Sequence, residues 1–182
     1  ISVGFITNLD QLLDTHADEY STLTGKELVA QKVKLLSTMM GHFTDPEFAE
    51  FNVMCDVPAA RKVMNEWPTE IVASPFELGN AILYPGASIE NDFKWTDYHP
   101  MVVGYENYLS MPYDRQTWDL TSVLYVVEKD KNFFGTSGPG KITINENGTT
   151  SFIPDTDGAH SFLKVTPGQA DTIRNYFIDL IT

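Results

Sequence analysis

The chain has 182 residues, 42% of them hydrophobic, which suits one domain with a real core or a large piece of one. Acids outnumber bases 25 to 12, and the net charge of −13 argues against a nucleic-acid partner, because that binding rests on Lys and Arg neutralising phosphates. No apolar run is long enough to span a membrane, and the lone Cys55 excludes an intrachain disulfide and a cysteine zinc site. No signal-peptide pattern is read at the start, and the composition leaves cytoplasm and periplasm equally open.

In chain order, residues 1–6 read as a buried strand already under way. Thr7 and Asn8 cap a short helix through Leu9, Leu12 and Leu13. Residues 25–32 are helical, 33–40 form a strand, and 41–49 a loop. Asp56 and Pro58 open a helix through Ala59, Ala60, Val63 and Met64, since proline fits the first turn. A short strand at 70–73 follows, then helices at 101–109 and 118–127. Strands alternating with helices predict an α/β fold with a mostly parallel sheet.

The tail changes character. Residues 141–144 and 150–153 alternate polar and apolar, with Asn147-Gly148 between them as a hairpin signal, because both residues tolerate positive φ. Asn147-Gly148-Thr149 also matches a glycosylation sequon, for which the turn is the stronger explanation. A further strand fits 160–165, and 167–181 is an amphipathic closing helix. The stretch 133–140, rich in Gly, Ser and Pro, is the best internal boundary, dividing a core portion at 1–132 from the hairpin and closing helix at 141–182.

Three stretches carry the chemistry. In Arg115-Gln116-Thr117-Trp118-Asp119-Leu120-Thr121-Ser122-Val123-Leu124, a carboxylate leads an apolar stretch fit for a buried helix. Thr117 as N-cap and Asp119 as a first-turn acid would explain that pattern by structure alone. In Glu50-Phe51-Asn52, an extended backbone would set Glu50 and Asn52 on one face and Phe51 on the other, toward the core. A carboxylate beside an amide can hold sugar hydroxyls, one accepting and one donating, although an ordinary polar face on an exposed strand has the same spacing. Residues 3–9, Val-Gly-Phe-Ile-Thr-Asn-Leu, fit a strand that ends in a capped turn.

R-x-x-W-D-x-T-x-V-L resembles the C-terminal signature of the inosine–uridine preferring nucleoside hydrolases, in a branch with Trp before the Asp. E-F-N followed by Asp56, Pro58, Ala59 and Ala60 is similar to that family's E-F-N-x-x-x-D-P-x-A-A, and Val3-Gly4-Phe5-Ile6-Thr7-Asn8-Leu9 is similar to its G-P-L-T-N-L segment. The resemblance implies an α/β sheet flanked by helices, with the C-terminal β-hairpin appended. It implies calcium-dependent hydrolysis of the N-glycosidic bond of ribonucleosides, with Asp119 and the Val3 carbonyl as Ca²⁺ ligands and Glu50 and Asn52 on the ribose. Trp118 would stack on the base or simply pack. Many relatives have His at that position as proton donor, and indole cannot replace it.

Other residues stay open. Phe76-Glu77-Leu78-Gly79 resembles a strand-end loop of the family, with Glu77 either near the substrate or structural. Met39-Met40-Gly41-His42-Phe43 resembles its M-G-G-x-F turn, with His42 in place of the second Gly, and a solvated loop His is the expectation there. His16 and His160 are expected at the surface or in a hairpin. His99 lies in a loop with Phe93, Trp95 and Tyr98 that could border the cleft.

The family's D-x-D-x-x-x-D-D motif, which carries its proposed base and further calcium ligands, has no counterpart. Asp10, Asp14 and Asp18 lie on the first helix in the wrong context. The chain is therefore expected to be the C-terminal portion of a hydrolase, inactive alone, whose partners are a ribonucleoside and the N-terminal half of the same protein. No catalytic residue is expected in this segment, and oligomeric state is open. A nucleoside- or ribose-binding pseudoenzyme that keeps Glu50, Asn52 and Asp119 is the alternative, and a structural role in which the acids are caps and surface is the third.

Overall fold

The computed structural model describes residues 1–182. The chain opens with a helix at Thr7–Leu13 (α1) and a second at Gly25–Lys32 (α2). Thr24 and Glu27 close α2 with a capping box, each side chain taking the other's backbone N–H. The expected strand at 1–6 shortens to one parallel bridge, Ser2 to Thr38. The strand Leu35–Met39 (β1) then leads into a helical turn at Phe51–Met54 (α3) and the helix Val57–Glu66 (α4), capped by Asp56 with Pro58 in the first turn.

Glu70–Ser74 (β2) runs parallel to β1, with Leu36 abreast of Ile71. Its side chains are buried on both faces, Ile71 and Ala73 against one cluster and Val72 against another, which is why the run is almost wholly apolar. After it come Phe76–Ala81 (α5), Leu83–Tyr84 (β3), Gly86–Asn91 (α6), Pro100–Tyr108 (α7) and Arg115–Gln116 (β4), with β3 and β4 paired antiparallel.

Trp118–Val127 (α8) lies over β1 and β2. It buries only Thr121, Ser122 and Leu124. The expectation of a buried helix is corrected here: Leu120, Val123 and Val126 are partly exposed and Val127 is 69% exposed. Hydroxyls seat α8 on the sheet, with Ser37 donating to the Ser122 carbonyl at 2.9 Å and Ser74 to Thr121 at 2.5 Å. Thr117 is not a side-chain cap, because its hydroxyl donates to the Ile82 carbonyl instead.

The C-terminal part completes the sheet. Gly135–Thr136 (β5), Gly140–Ile144 (β6), Thr150–Pro154 (β7) and His160–Lys164 (β8) give the order β1-β2-β8-β6-β7, with β5 on β8. β8 is parallel to β2, and β6 and β7 form the expected hairpin. Its turn uses positive φ at Gly148 alone, at 80°, and not at Asn147. Pro167–Ile181 (α9) closes the chain behind a Thr166–Gln169 capping box. Ile6, Leu36, Val63, Ile71 and Ile142 form the main core under α1 and α4. A second core joins Ile82, Leu124, Ile173 and Phe177 under α9. Each such side chain, fully buried, contributes about 1.5–3 kcal/mol. No helix is long and apolar enough to cross a membrane.

Candidate functional site

The Glu50-Phe51-Asn52 segment is not extended. Glu50 is the N-cap of α3, and its carboxylate accepts from Asn52 N–H at 2.8 Å, Val53 N–H at 3.3 Å and Gly41 N–H at 3.2 Å. The helical turn reverses the expected facing of the neighbouring residue, leaving Phe51 74% exposed and Glu50 2% exposed. Asn52 Nδ2 donates to the Met39 carbonyl at 3.1 Å, which anchors it at the C-terminal end of β1. Strand ends of this kind are where α/β folds place ligands.

Asp119 enters the same end of the sheet from the first turn of α8. Burial raises the Glu50 carboxyl above its ordinary value against the pull of its three N–H donors, and the charge of Asp119 adds to the rise. Asp119 is itself raised by desolvation and opposed by Arg115. The parallel bridge from Ser2 to Thr38 sets Val3 abreast of Met39, and the Val3 carbonyl has no backbone partner. Glu50, Asn52, Asp119 and the Val3 carbonyl therefore gather around one end of β1.

Trp118 is locked in place. Its Nε1–H donates to the Phe76 carbonyl at 3.0 Å, its ring stacks on Phe76 at 5.3 Å, and Gly79 presses beneath it. Arg115 stacks over Tyr108 at 4.3 Å and over Trp118 at 5.5 Å. Arg115 and Trp118 border, with Tyr84, Tyr105 and Asp119, a cleft of about 290 Å³. Met101 and Tyr105 of α7 line this cleft, whereas Phe93, Trp95, Tyr98 and His99 do not. His99 itself caps α7 and packs on Phe93 and Trp95.

Two histidines depart from expectation. His42 is buried, stacked between Phe48 at 4.7 Å and Phe76 at 5.6 Å, because Thr150 of β7 bonds both its backbone N–H and its carbonyl. His160 is also buried, its Nδ1 accepting from Ile142 N–H, and burial lowers its pKa. Glu77 takes the Phe43 N–H at 3.0 Å and leaves its second oxygen buried without a hydrogen bond. The hairpin thus holds the loop beside Glu50, a long-range role that its alternation could not show. Asp10 and Asp14 are tied to Lys62, and Asp18 lies past α1 in a turn, bonded to Tyr20 and Ser21 N–H.

Calcium takes about 6–8 oxygens. No three His, Cys, Asp or Glu side chains come together in a way that could hold a metal ion, and three of the roughly four acceptor positions of Glu50 already face N–H donors. Asp119 and the Val3 carbonyl do not make a calcium site by themselves.

No family model matches the sequence, and no curated protein does. Solved structures do. The inosine–uridine preferring nucleoside hydrolase from Bacillus anthracis superposes with a TM-score of 0.63 at 16% identity over 98% of this chain. A plant nucleoside hydrolase gives 0.63 at 15% over the same share. The chain spans 59% and 61% of the length of those two proteins. Likeness at this identity establishes architecture, and the chain has the α/β fold of the nucleoside hydrolases.

Proposed function

We propose that this chain forms part of a nucleoside hydrolase that cleaves the N-glycosidic bond of ribonucleosides to ribose and free base. The observation that carries the proposal is the meeting of Glu50, Asn52 and Asp119 at the C-terminal end of β1 on that fold. Asn52, whose side-chain nitrogen is held by the Met39 carbonyl and sulfur, has its carbonyl oxygen for a sugar hydroxyl. Glu50 offers a buried acceptor edge beside it. Holding the ribose in this way supports the oxocarbenium-like sugar that forms as the base leaves. The cofactor is Ca²⁺, for which Asp119 and the Val3 carbonyl supply two oxygens, and acids outside this chain supply the rest. Those acids belong to the N-terminal half of the same protein, so the isolated chain does not turn over.

A second proposal, a ribose-binding pseudoenzyme, is favoured by one detail. The Trp118 N–H is consumed by Phe76, so nothing at that position protonates a leaving base. Release of free base from inosine and uridine by the complete protein, with and without chelator, separates the two. Activity that falls with chelation and with Asp119→Ala supports the hydrolase. Activity unchanged by both eliminates the metal, and clear ribose binding without base release establishes the pseudoenzyme.

A further inference from the structure

With Trp118 beside Asp119, the departing base needs a proton from elsewhere. We propose that His42 is that donor and Glu77 its positioning residue, an inference that rests on the nucleoside hydrolysis proposed above.

His42 occupies the turn that touches the ribose cradle. Gly41, at φ 81°, donates its N–H to Glu50, and the next residue swings its ring onto Phe76. Phe76 stacks in turn on Trp118, which precedes Asp119. An aromatic row therefore runs from His42 to the first turn of α8, a surface along which a planar base can lie.

The ring has two distinct nitrogens. Nδ1 accepts the Asp45 N–H at 3.0 Å, so the neutral ring carries its proton on Nε2, which has no partner in the chain. Glu77 Oε2 lies 3.8 Å from Nδ1, buried and without a hydrogen bond. A histidine that only filled an aromatic cluster would have no use for an orphaned carboxylate oxygen at its edge, since leaving one unpaired costs about 1–3 kcal/mol. When the ring takes a second proton, a small rotation moves Nδ1–H from competition with Asp45 N–H to donation toward Glu77. The titratable groups around the ring are Glu77 from α5 and, on its own side, Asp45 and Glu50.

The imidazolium then releases its Nε2 proton to a nitrogen or oxygen of the base. The C1′–N bond breaks and its electron pair leaves with the base. A water oxygen bonds to C1′, and the proton lost by that water returns to the neutral ring or to solvent.

The test compares inosine with 4-nitrophenyl β-D-riboside, whose nitrophenolate leaves without protonation, using the complete protein. His42→Gln should lose about 100-fold in kcat/KM on inosine, within the range of general-acid catalysis, and less than about 3-fold on the nitrophenyl riboside. Glu77→Gln should lower kcat on inosine with KM unchanged and spare the nitrophenyl substrate. Equal losses on both substrates, or none on either, overturn the role of His42. A wild-type protein that cleaves neither substrate sinks the hydrolase proposal and this inference with it. One that cleaves the nitrophenyl riboside and not inosine keeps the hydrolase and removes the donor.

Discussion

The Asp119 carboxylate faces Glu50 closely enough across the end of β1 for its charge to act on the Glu50 carboxyl. Burial holds the Glu50 carboxyl above its ordinary 4.5, and the Asp119 charge pushes the same way. The folded state therefore binds this proton more tightly than the unfolded chain does. Its stabilising contribution is full below pH 4.5 and is lost as pH rises through the folded value.

Glu50→Gln should remove that slope. The variant carries an offset of about 1–3 kcal/mol at all pH, because the amide has one acceptor oxygen where the carboxylate served three N–H donors. Urea unfolding at a series of pH values from 4 to 7 checks it: the gap between the two proteins should narrow as pH rises. A gap that widens with pH contradicts the assigned direction.

Gly79→Ala should destabilise by about 1–3 kcal/mol, the usual cost of overpacking. A Cβ there meets the Trp118 side chain and backbone, so the indole must leave Phe76 to make room. Thermal unfolding followed by tryptophan fluorescence reads both effects. A wild-type melting curve would show that α5 and α8 have room to separate.

The outer face of α8 carries Leu120, Val123 and Val127, and exposed Ile1, Val3 and Phe5 flank β1. An exposed apolar helix face such as that of α8 marks an interface. Val123→Lys with Val127→Lys should leave stability within about 0.5 kcal/mol, as exposed substitutions do. The pair should also lower concentration-dependent self-association of the isolated chain in light scattering. Unchanged association would place the contact elsewhere.

The isolated chain should bind Ca²⁺ only at millimolar concentrations by calorimetry. One charged ligand cannot replace most of a water shell. Joining the chain to the proposed N-terminal half should tighten binding, and Asp119→Ala should abolish the gain. Tight binding by the isolated chain would mean a different site.

Much of the architecture was legible because its signals are local. Residues 25–32, 118–127 and 167–181 form helices at the expected bounds, which the apolar pattern along the chain marks. The Glu50 segment was misjudged because its carboxylate competes locally for Asn52 and Val53 N–H, which turns an expected strand into a cap. His42 and His160 were misplaced for the opposite reason. Their burial depends on Thr150 and Ile142, brought near when β8 enters beside β2, and strand periodicity does not name a strand's neighbours. Glu50, Asn52 and Asp119 were singled out through resemblance, whereas the partnership of His42 with Glu77 had no signal in spacing.

The most direct measurement of the central claim is the NMR response of this chain to ribose. Saturating ribose should shift the Asn52 side-chain amide and the Asp119 backbone amide together, and leave the side-chain amide of Asn175, exposed on α9 beside the far end of α8, unmoved. Ribose that shifts neither Asn52 nor Asp119, or that acts instead at α9, would contradict a sugar site at the end of β1.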